Sequence, residues 1–145
     1  MARMKYDHYH RFDTLSPKNV FRAHTKYPNQ NIVLDSGATV KNNSWRVNVY
    51  LHKGMKCRCG REGSYFAAEV HKNKMYNKWL GRGGDPVNAP RAHLNLYGRD
   101  PDGVEFMMTV DHIQPKSKGG SNELNNLTPM CDRCNGKKAD KVEDG

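Results

Sequence analysis

The sequence predicts a small α+β protein whose C-terminal part is a β-hairpin followed by a helix (ββα), with a basic N-terminal α/β extension. Apolar and polar residues alternate over 93–97 and again over 104–110, on either side of the turn sequence Asp-Pro-Asp-Gly. Only 36% of the residues are hydrophobic, so the core must be thin. A small core with few apolar residues needs an additional cross-link for stability, and two close pairs of cysteines predict that this cross-link is a zinc ion.

The length and hydropathy of the chain exclude several classes of protein. With 145 residues there is room for one domain and a small appendage. No apolar run is long enough for a membrane span, and the charged N-terminus lacks the apolar stretch of a signal peptide. We therefore expect a cytoplasmic protein without a membrane partner, in whose reducing surroundings paired cysteines bind metal rather than form disulfides.

Positive charge is concentrated towards the N-terminus. The net charge is +9, and residues 1–53 hold nine basic against three acidic residues, whereas 111–145 hold six of each. This distribution suits a nucleic-acid partner. It predicts that residues 1–53 are a basic extension that grips DNA and that residues 54–145 are a zinc-stapled domain carrying the chemistry.

Further elements follow from local patterns. Ser16, followed by proline, is typical of a helix N-terminus and predicts a helix over 17–26. Alternating apolar residues predict a strand over 45–51. A second strand is expected over 64–70 and a short helix over 73–80. Each of these elements lies ahead of the hairpin.

The second hairpin strand is expected to end at Asp111 and His112. A carboxylate can hold a hard cation, and an imidazole can take a proton from water near neutral pH. A strand end that enters a loop can present both side chains to one cavity. Thr128 and Pro129 are then expected to cap the final helix, which carries Cys131 and the residues after it.

A longer motif surrounds this pair of residues. Its elements are Asp111-His112-Ile113-x-Pro115-x-Ser117-x-Gly119-Gly120, then Asn126-Leu127, then Cys131-x-x-Cys134-Asn135-x-x-Lys138. The motif resembles that of the HNH, or ββα-metal, endonucleases, closely over residues 109–138. Residues 1–50 resemble no family known to us. The resemblance implies a phage-like nuclease with a ββα-metal core.

The resemblance also implies a role for each matching residue. His112 matches the general base, and Asn126 matches the middle asparagine that holds the loop and orients the base. Asp111 and Asn135 match the protein ligands of one catalytic Mg²⁺ or Mn²⁺. Other roles stay open at three of these positions: a turn residue at Asn126, a helix-surface amide at Asn135, and a zinc ligand or buried side chain at His112.

The cysteines suit a structural metal site. Cys57, Cys59, Cys131 and Cys134 together would form a tetrahedral Cys₄ zinc site. The upstream pair has one intervening residue, which is tighter than usual, so His52 or His71 is an alternative ligand.

Three lysines are expected to contact DNA. Lys116 and Lys118 lie beside the two glycines of the motif, where they would meet phosphate close to the bond that is cut. A solvated loop is the alternative for both. Lys138 would contact phosphate or offset the charge at the helix end.

The sequence therefore predicts a DNA endonuclease that nicks or cuts both strands and leaves a 5′-phosphate and a 3′-hydroxyl. One centre cuts one strand, so double-strand cleavage would need a homodimer. A phage-encoded enzyme would act in the bacterial host cytosol. The alternatives are a non-catalytic zinc protein that binds nucleic acid, and a zinc-stapled protein-interaction domain.

Overall fold

The computed structural model describes residues 6–140, with the backbone alone for Ala139 and Asp140. Residues 1–5, on which the exclusion of a signal peptide rests, lie outside the described residues, as do 141–145. No helix between residues 6 and 140 has the length and apolar character needed to cross a membrane. Two compact units can be distinguished: unit 1 is Met1–Ser44 with Phe66–Asn95, and unit 2 is Trp45–Tyr65 with Leu96–Gly145.

The described part of the chain is a mixture of short strands and helices, as the predicted α+β class requires. The strands are β1 (Tyr9–Leu15), β2 (Ile32–Val33), β3 (Thr39–Val40), β4 (Tyr65–His71), β5 (His93–Arg99), β6 (Glu105–His112) and β7 (Leu127–Cys131). The α-helices are α1 (Pro17–Lys26), α2 (Trp45–Lys53), α3 (Lys74–Gly81) and α4 (Asp132–Asp140).

Unit 1 is built on the antiparallel pair of β1 and β4. The Ser16 hydroxyl accepts a hydrogen bond from the backbone N–H of Asn19 at 3.2 Å and so caps α1, which confirms the helix predicted over 17–26. Asn73 caps α3 in the same way, which confirms the helix predicted over 73–80. Val20 and Phe66 are fully buried in the core of this unit.

Unit 2 contains the predicted hairpin. The C-terminal half of β5 pairs antiparallel with β6, and β6 pairs antiparallel with β7. The buried side chains of Tyr97, Phe106 and Met108 form the core of this small sheet, and Leu127 and Met130 contribute to it from β7. The hairpin predicted from alternation and turn chemistry is thus confirmed, and β6 ends at His112 as expected.

The strand predicted over 45–51 is wrong, because these residues form the helix α2. A strand would have buried every second residue, including Trp45. Instead Trp45 is 49% exposed, whereas Val47, Val49 and Tyr50 are buried. Burial of both Val47 and Tyr50, at positions i and i+3, fits one helix face. That face packs against β6 and β7, so tertiary contacts decide the conformation.

The prediction that Thr128 and Pro129 cap the final helix is also wrong. Both residues lie in β7, where Pro129 is opposite Val110 and Thr128 is opposite Asp111. Proline has no N–H to donate, and an edge strand tolerates it because one side of the strand needs no partner. The helix α4 begins at Asp132, after Cys131 has ended the strand.

Candidate active site and metal centre

The end of β6 places Asp111 and His112 side by side but turns them towards different neighbours. Successive side chains of a strand point to opposite faces. Accordingly, the carboxylate of Asp111 contacts the ammonium of Lys138 on α4. His112 instead contacts Asn122, in the loop that follows the strand. The strand end therefore exposes a carboxylate on one face and an imidazole on the other.

The contact between His112 and Asn122 determines which ring nitrogen carries the proton. Nε2 of His112 lies 2.8 Å from Oδ1 of Asn122. An amide oxygen can only accept, so Nε2 donates and carries the hydrogen. In the neutral ring the lone pair is then on Nδ1, which has no hydrogen-bond partner among residues 6–140. His112 is thus oriented with a basic nitrogen available.

Asn126 holds the loop between β6 and β7. Its side-chain oxygen accepts from the backbone N–H of Gln114 at 2.8 Å, and its amide donates to the carbonyls of Gln114 at 3.1 Å and Ser121 at 2.7 Å. Both amide hydrogens are therefore used. Gly120 is required in the same loop, because a Cβ there would collide with the carbonyl of Gln114. The geometry of Asn126 fits a positioning residue.

The face of β6 towards α4 carries side chains that contain oxygen. Asn135 donates from its amide to the hydroxyl of Thr109 at 3.0 Å, and Thr109 is two residues from Asp111 on the same strand face. The ammonium of Lys138 contacts Asp111 and donates to the carbonyl of His112 at 3.1 Å. Lys138, predicted to contact phosphate or to offset the helix end, thus places a positive charge directly on the predicted metal ligand.

A cavity of about 410 Å³ lies on the other face, at His112. Its lining is contributed by α2, the strand end, the loop and β7: Trp45, Asn48, Val49, His112, Lys116, Asn122, Leu124 and Leu127. Asp111 and Asn135 do not line it. The expectation that one cavity would receive both Asp111 and His112 is therefore not met by this cavity.

The four cysteines form the candidate metal centre. The sulfur atoms of Cys57, Cys59, Cys131 and Cys134 all lie within 4.8 Å of one another, and those of Cys59 and Cys131 are 3.7 Å apart. Tetrahedral coordination with Zn–S bonds of about 2.3 Å requires sulfur atoms about 3.8 Å apart. The cysteines are free thiols, and neither of the alternative ligands, His52 and His71, is in the group. Four thiolates at this spacing fit Zn²⁺.

The protonation of these thiols is unequal. Hydrogen bonds from Arg61, chiefly from its backbone N–H, lower the pKa of Cys59 to about 6. Burial, together with the neighbouring Cys131, raises the pKa of Cys134 to about 12. Thiols this close cannot all ionise unless a cation offsets their repulsion.

Two arginines brace the cysteine cluster. Arg61 donates to the sulfur of Cys59 at 3.5 Å and to the carboxylate of Asp100 at 3.0 Å. Arg133 on α4 contacts the other carboxylate oxygen of Asp100. Burial alone would raise the pKa of Asp100, but the hydrogen bonds from Arg133 and Arg61 lower it. Asp100 thus connects α4 to the segment that carries Cys59.

The two loop lysines have different surroundings. Lys116 and Lys118 both lie in a single turn of 3₁₀ helix and are exposed. Lys116 lines the cavity at His112, whereas Lys118 does not. The structure thus brings one of the two next to the predicted base.

Sequence reasoning missed Asn122 and the contribution of α2. Asn122 lies inside the matched motif but at a position without an assigned role, so only its contact with His112 reveals it. Trp45 and Asn48 precede His112 by more than sixty residues, in a segment whose alternation predicts a strand. The polar segment before Trp45, at 42–44, is the one local signal of a helix start.

Comparison with known proteins agrees with the geometry. Residues 100–141 match the family model described as HNH endonuclease. No curated protein and no solved structure matches the chain. The matched segment includes Asp111, His112, Asn126 and Asn135, and HNH nucleases act on DNA with the help of divalent metals. Residues 100–141 of this chain are therefore similar to the HNH endonuclease family.

Proposed function

We propose that the protein is a metal-dependent DNA endonuclease that uses one catalytic divalent ion and leaves a 5′-phosphate and a 3′-hydroxyl. The observation that carries this proposal is the orientation of His112. Within a segment that matches the HNH family, Asn122 holds the Nε2 hydrogen at 2.8 Å and leaves Nδ1 basic. A general base needs this arrangement before it can accept a proton from water.

The reaction follows from that orientation. Nδ1 of His112 takes a proton from a water molecule whose oxygen attacks the phosphorus. A new P–O bond forms, and the bond from phosphorus to the 3′ oxygen breaks with its electron pair on that oxygen. The departing oxygen takes a proton from solvent. Lys116, beside His112 in the cavity wall, supplies positive charge for the phosphate oxygens.

Asp111 and Asn135 would hold the catalytic Mg²⁺ or Mn²⁺. A carboxylate and an amide oxygen are hard ligands that suit either ion, and both residues lie where α4 crosses β6. The ammonium of Lys138, which contacts Asp111, would have to move aside when the ion binds, because two cations close together repel each other. When bound, the ion would stabilise the charge that develops on the phosphate and on the leaving oxygen.

The cysteine cluster would hold a structural Zn²⁺. The charge of the chain and its free thiols indicate how it would bind DNA and in which compartment it would act. The basic N-terminal extension would grip DNA, together with Lys118. Free thiols suit a reducing cytosol, including that of a bacterial host if a phage encodes the protein. Cleavage of both strands would require a homodimer, since one chain supplies one base.

The test is cleavage of supercoiled plasmid in Mg²⁺ or Mn²⁺, with and without His112→Ala. We expect this substitution to lower the rate by roughly 10² to 10⁴, because the general base is lost. His52→Ala is the matched control: His52 is an exposed histidine of unit 2 that does not line the cavity, so its variant should cut normally.

Two results would contradict the proposal. Cleavage by His112→Ala at the wild-type rate would exclude His112 as the base. If the zinc-loaded wild-type protein binds plasmid but never nicks it in either metal, the non-catalytic nucleic-acid-binding alternative is favoured.

A further inference from the structure

The cavity at His112 is built partly from residues that lie outside the HNH domain. The family match begins at residue 100, whereas Trp45, Asn48 and Val49 belong to α2. The buried face of α2 packs on β6 and β7, so these residues are held in fixed positions beside His112. Residues from outside the matched segment thus form one wall of the cavity at His112.

Trp45 is the largest side chain of that wall, and it remains 49% exposed although it is a tryptophan. The guanidinium of Arg46 lies 4.9 Å from the centre of its ring. This contact covers one face of the indole and adds a positive charge. An exposed aromatic ring with a cation beside it is the arrangement on which nucleic-acid bases stack.

The remaining walls differ in polarity. Leu124, Leu127 and Val49 are apolar, whereas Lys116 and Asn122 are polar and lie at the same opening as His112. A cavity of about 410 Å³ is in the range that takes a small flat ligand. Its apolar lining residues suit an aromatic ring, and Lys116 suits the phosphate attached to that ring.

We propose that this cavity binds one unpaired nucleobase of the DNA substrate, stacked on Trp45, next to the phosphodiester bond that His112 attacks. This proposal rests on the proposed nuclease function and makes it more specific. A base inside a regular duplex must first be unpaired and unstacked before it can enter a cavity, whereas an unpaired base does not carry this full cost. The enzyme therefore prefers DNA that presents an unpaired nucleotide, such as a bulge, a branch or a single strand.

The test measures DNA binding alone. It combines two changes: removal of the unpaired base from the DNA, and substitution of Trp45 in the protein. Zinc-loaded protein, without added Mg²⁺ or Mn²⁺, is titrated into a labelled duplex that carries one unpaired adenine. A second duplex carries an abasic site at the same bulge, and a third is fully paired. For the wild type, we expect removal of the base to weaken binding roughly 5- to 150-fold, the usual effect of losing one stacked base.

Trp45→Ala should weaken binding to the adenine bulge by a similar factor and should bind the adenine and abasic bulges equally. Trp45→Phe keeps an aromatic face and should recover most of the preference. Val104→Ala is the matched control, because Val104 is an apolar side chain of the same unit that is also 49% exposed, and it lies outside the cavity. This variant should keep the wild-type preference for the base.

The outcomes separate this proposal from the nuclease function. If Trp45→Ala binds all three duplexes as the wild type does, or loses affinity equally for the adenine and abasic bulges, the cavity does not hold a base. Either result leaves the plasmid assay of His112→Ala unaffected. Conversely, a base-dependent loss in a protein that cuts nothing would support the cavity and contradict the nuclease.

Discussion

At the scale of single residues, one neighbouring side chain determines which nitrogen of His112 carries the hydrogen. A neutral imidazole can carry its hydrogen on either nitrogen, and only the tautomer with a free lone pair towards water can act as a base. Oδ1 of Asn122 selects the tautomer by accepting from Nε2 at 2.8 Å. Asn122 also lines the same cavity as His112.

Asn122→Ala should lower the single-turnover cleavage rate by roughly 2- to 13-fold, the equivalent of one hydrogen bond worth about 0.5–1.5 kcal/mol. Asn122→Asp keeps an acceptor oxygen and should retain more activity than the alanine variant. The measurement is single-turnover cleavage at saturating enzyme. An aspartate variant no better than the alanine variant would mean that the acceptor at this position does not orient His112.

At the scale of elements, α4 connects the cysteine cluster to the face of β6 that carries Asp111. Cys131 immediately precedes the helix and Cys134 lies in its first turn. Asn135 and Lys138 follow on the same helix and contact Thr109 and Asp111. A metal that fixes the start of α4 therefore also fixes the residues that face β6.

Cys134→Ser should remove zinc and release α4. A structural zinc site contributes on the order of 10 kcal/mol, comparable with the entire stability of a typical domain, about 5–15 kcal/mol. We therefore expect the metal content to fall from about one zinc per chain to well below it, with loss of cooperative thermal unfolding and of cleavage. Elemental analysis and circular dichroism measure these effects.

Asn135→Ala is the comparison for that experiment. It should keep zinc and the melting temperature but lose cleavage, because we propose that the amide oxygen of Asn135 binds the catalytic ion and that only the thiolates bind zinc. Full zinc content in Cys134→Ser, or active wild-type protein without zinc, would contradict the assignment of the cluster.

The helix α2 shows where local patterns become ambiguous. Three apolar residues spaced by two, as at Val47, Val49 and Leu51, are compatible with a strand and also with part of a helix. The burial of Tyr50 between two of them distinguishes the two structures, and that burial depends on the packing of α2 against β6 and β7.

At the scale of the whole molecule, part of the excess positive charge lies on helix α1. Helix α1 contains no acidic residue, and its Lys18, Arg22 and Lys26 are all exposed. Residues four apart lie on one face of a helix, so these three cations form a single basic ridge. We propose that this ridge is the main phosphate-binding surface of the N-terminal extension.

Replacement of Lys18, Arg22 and Lys26 by alanine should make binding to a paired duplex less dependent on salt. Each lost phosphate contact lowers the slope of log affinity against log salt by roughly 0.9, so we expect a slope shallower by about 2 to 3. The measurement is a salt titration of binding to labelled DNA. Cleavage at low salt and high enzyme concentration should persist, because Asp111 and His112 are retained.

A control variant removes the same number of exposed cations from another part of unit 1, namely Lys72, Lys74 and Lys78. It should change the slope less. If the control loses the larger part of the slope, the grip lies near α3 and not on α1.

Several local elements and the HNH-like motif could be predicted from the amino-acid sequence alone. Turn chemistry at 100–103, the cap at Ser16 and the alternation along β6 act within a few residues, so they can be read directly. The HNH motif can be read too, because its residues recur at fixed spacing in one segment, and the match at 100–141 confirms it. The close spacing within each pair of cysteines likewise indicates metal ligands, because two thiols so near in the chain can bind one ion.

Which distant residues meet depends on the tertiary structure. Trp45 reaches His112 because α2 packs on β6 and β7, and the cysteine pairs meet because β7 ends beside the turn that carries Cys57 and Cys59. The role of Pro129 as a strand residue depends in the same way on its pairing with Val110. Such contacts join residues far apart in the chain, and their free energy comes from burial and pairing, which no local pattern records.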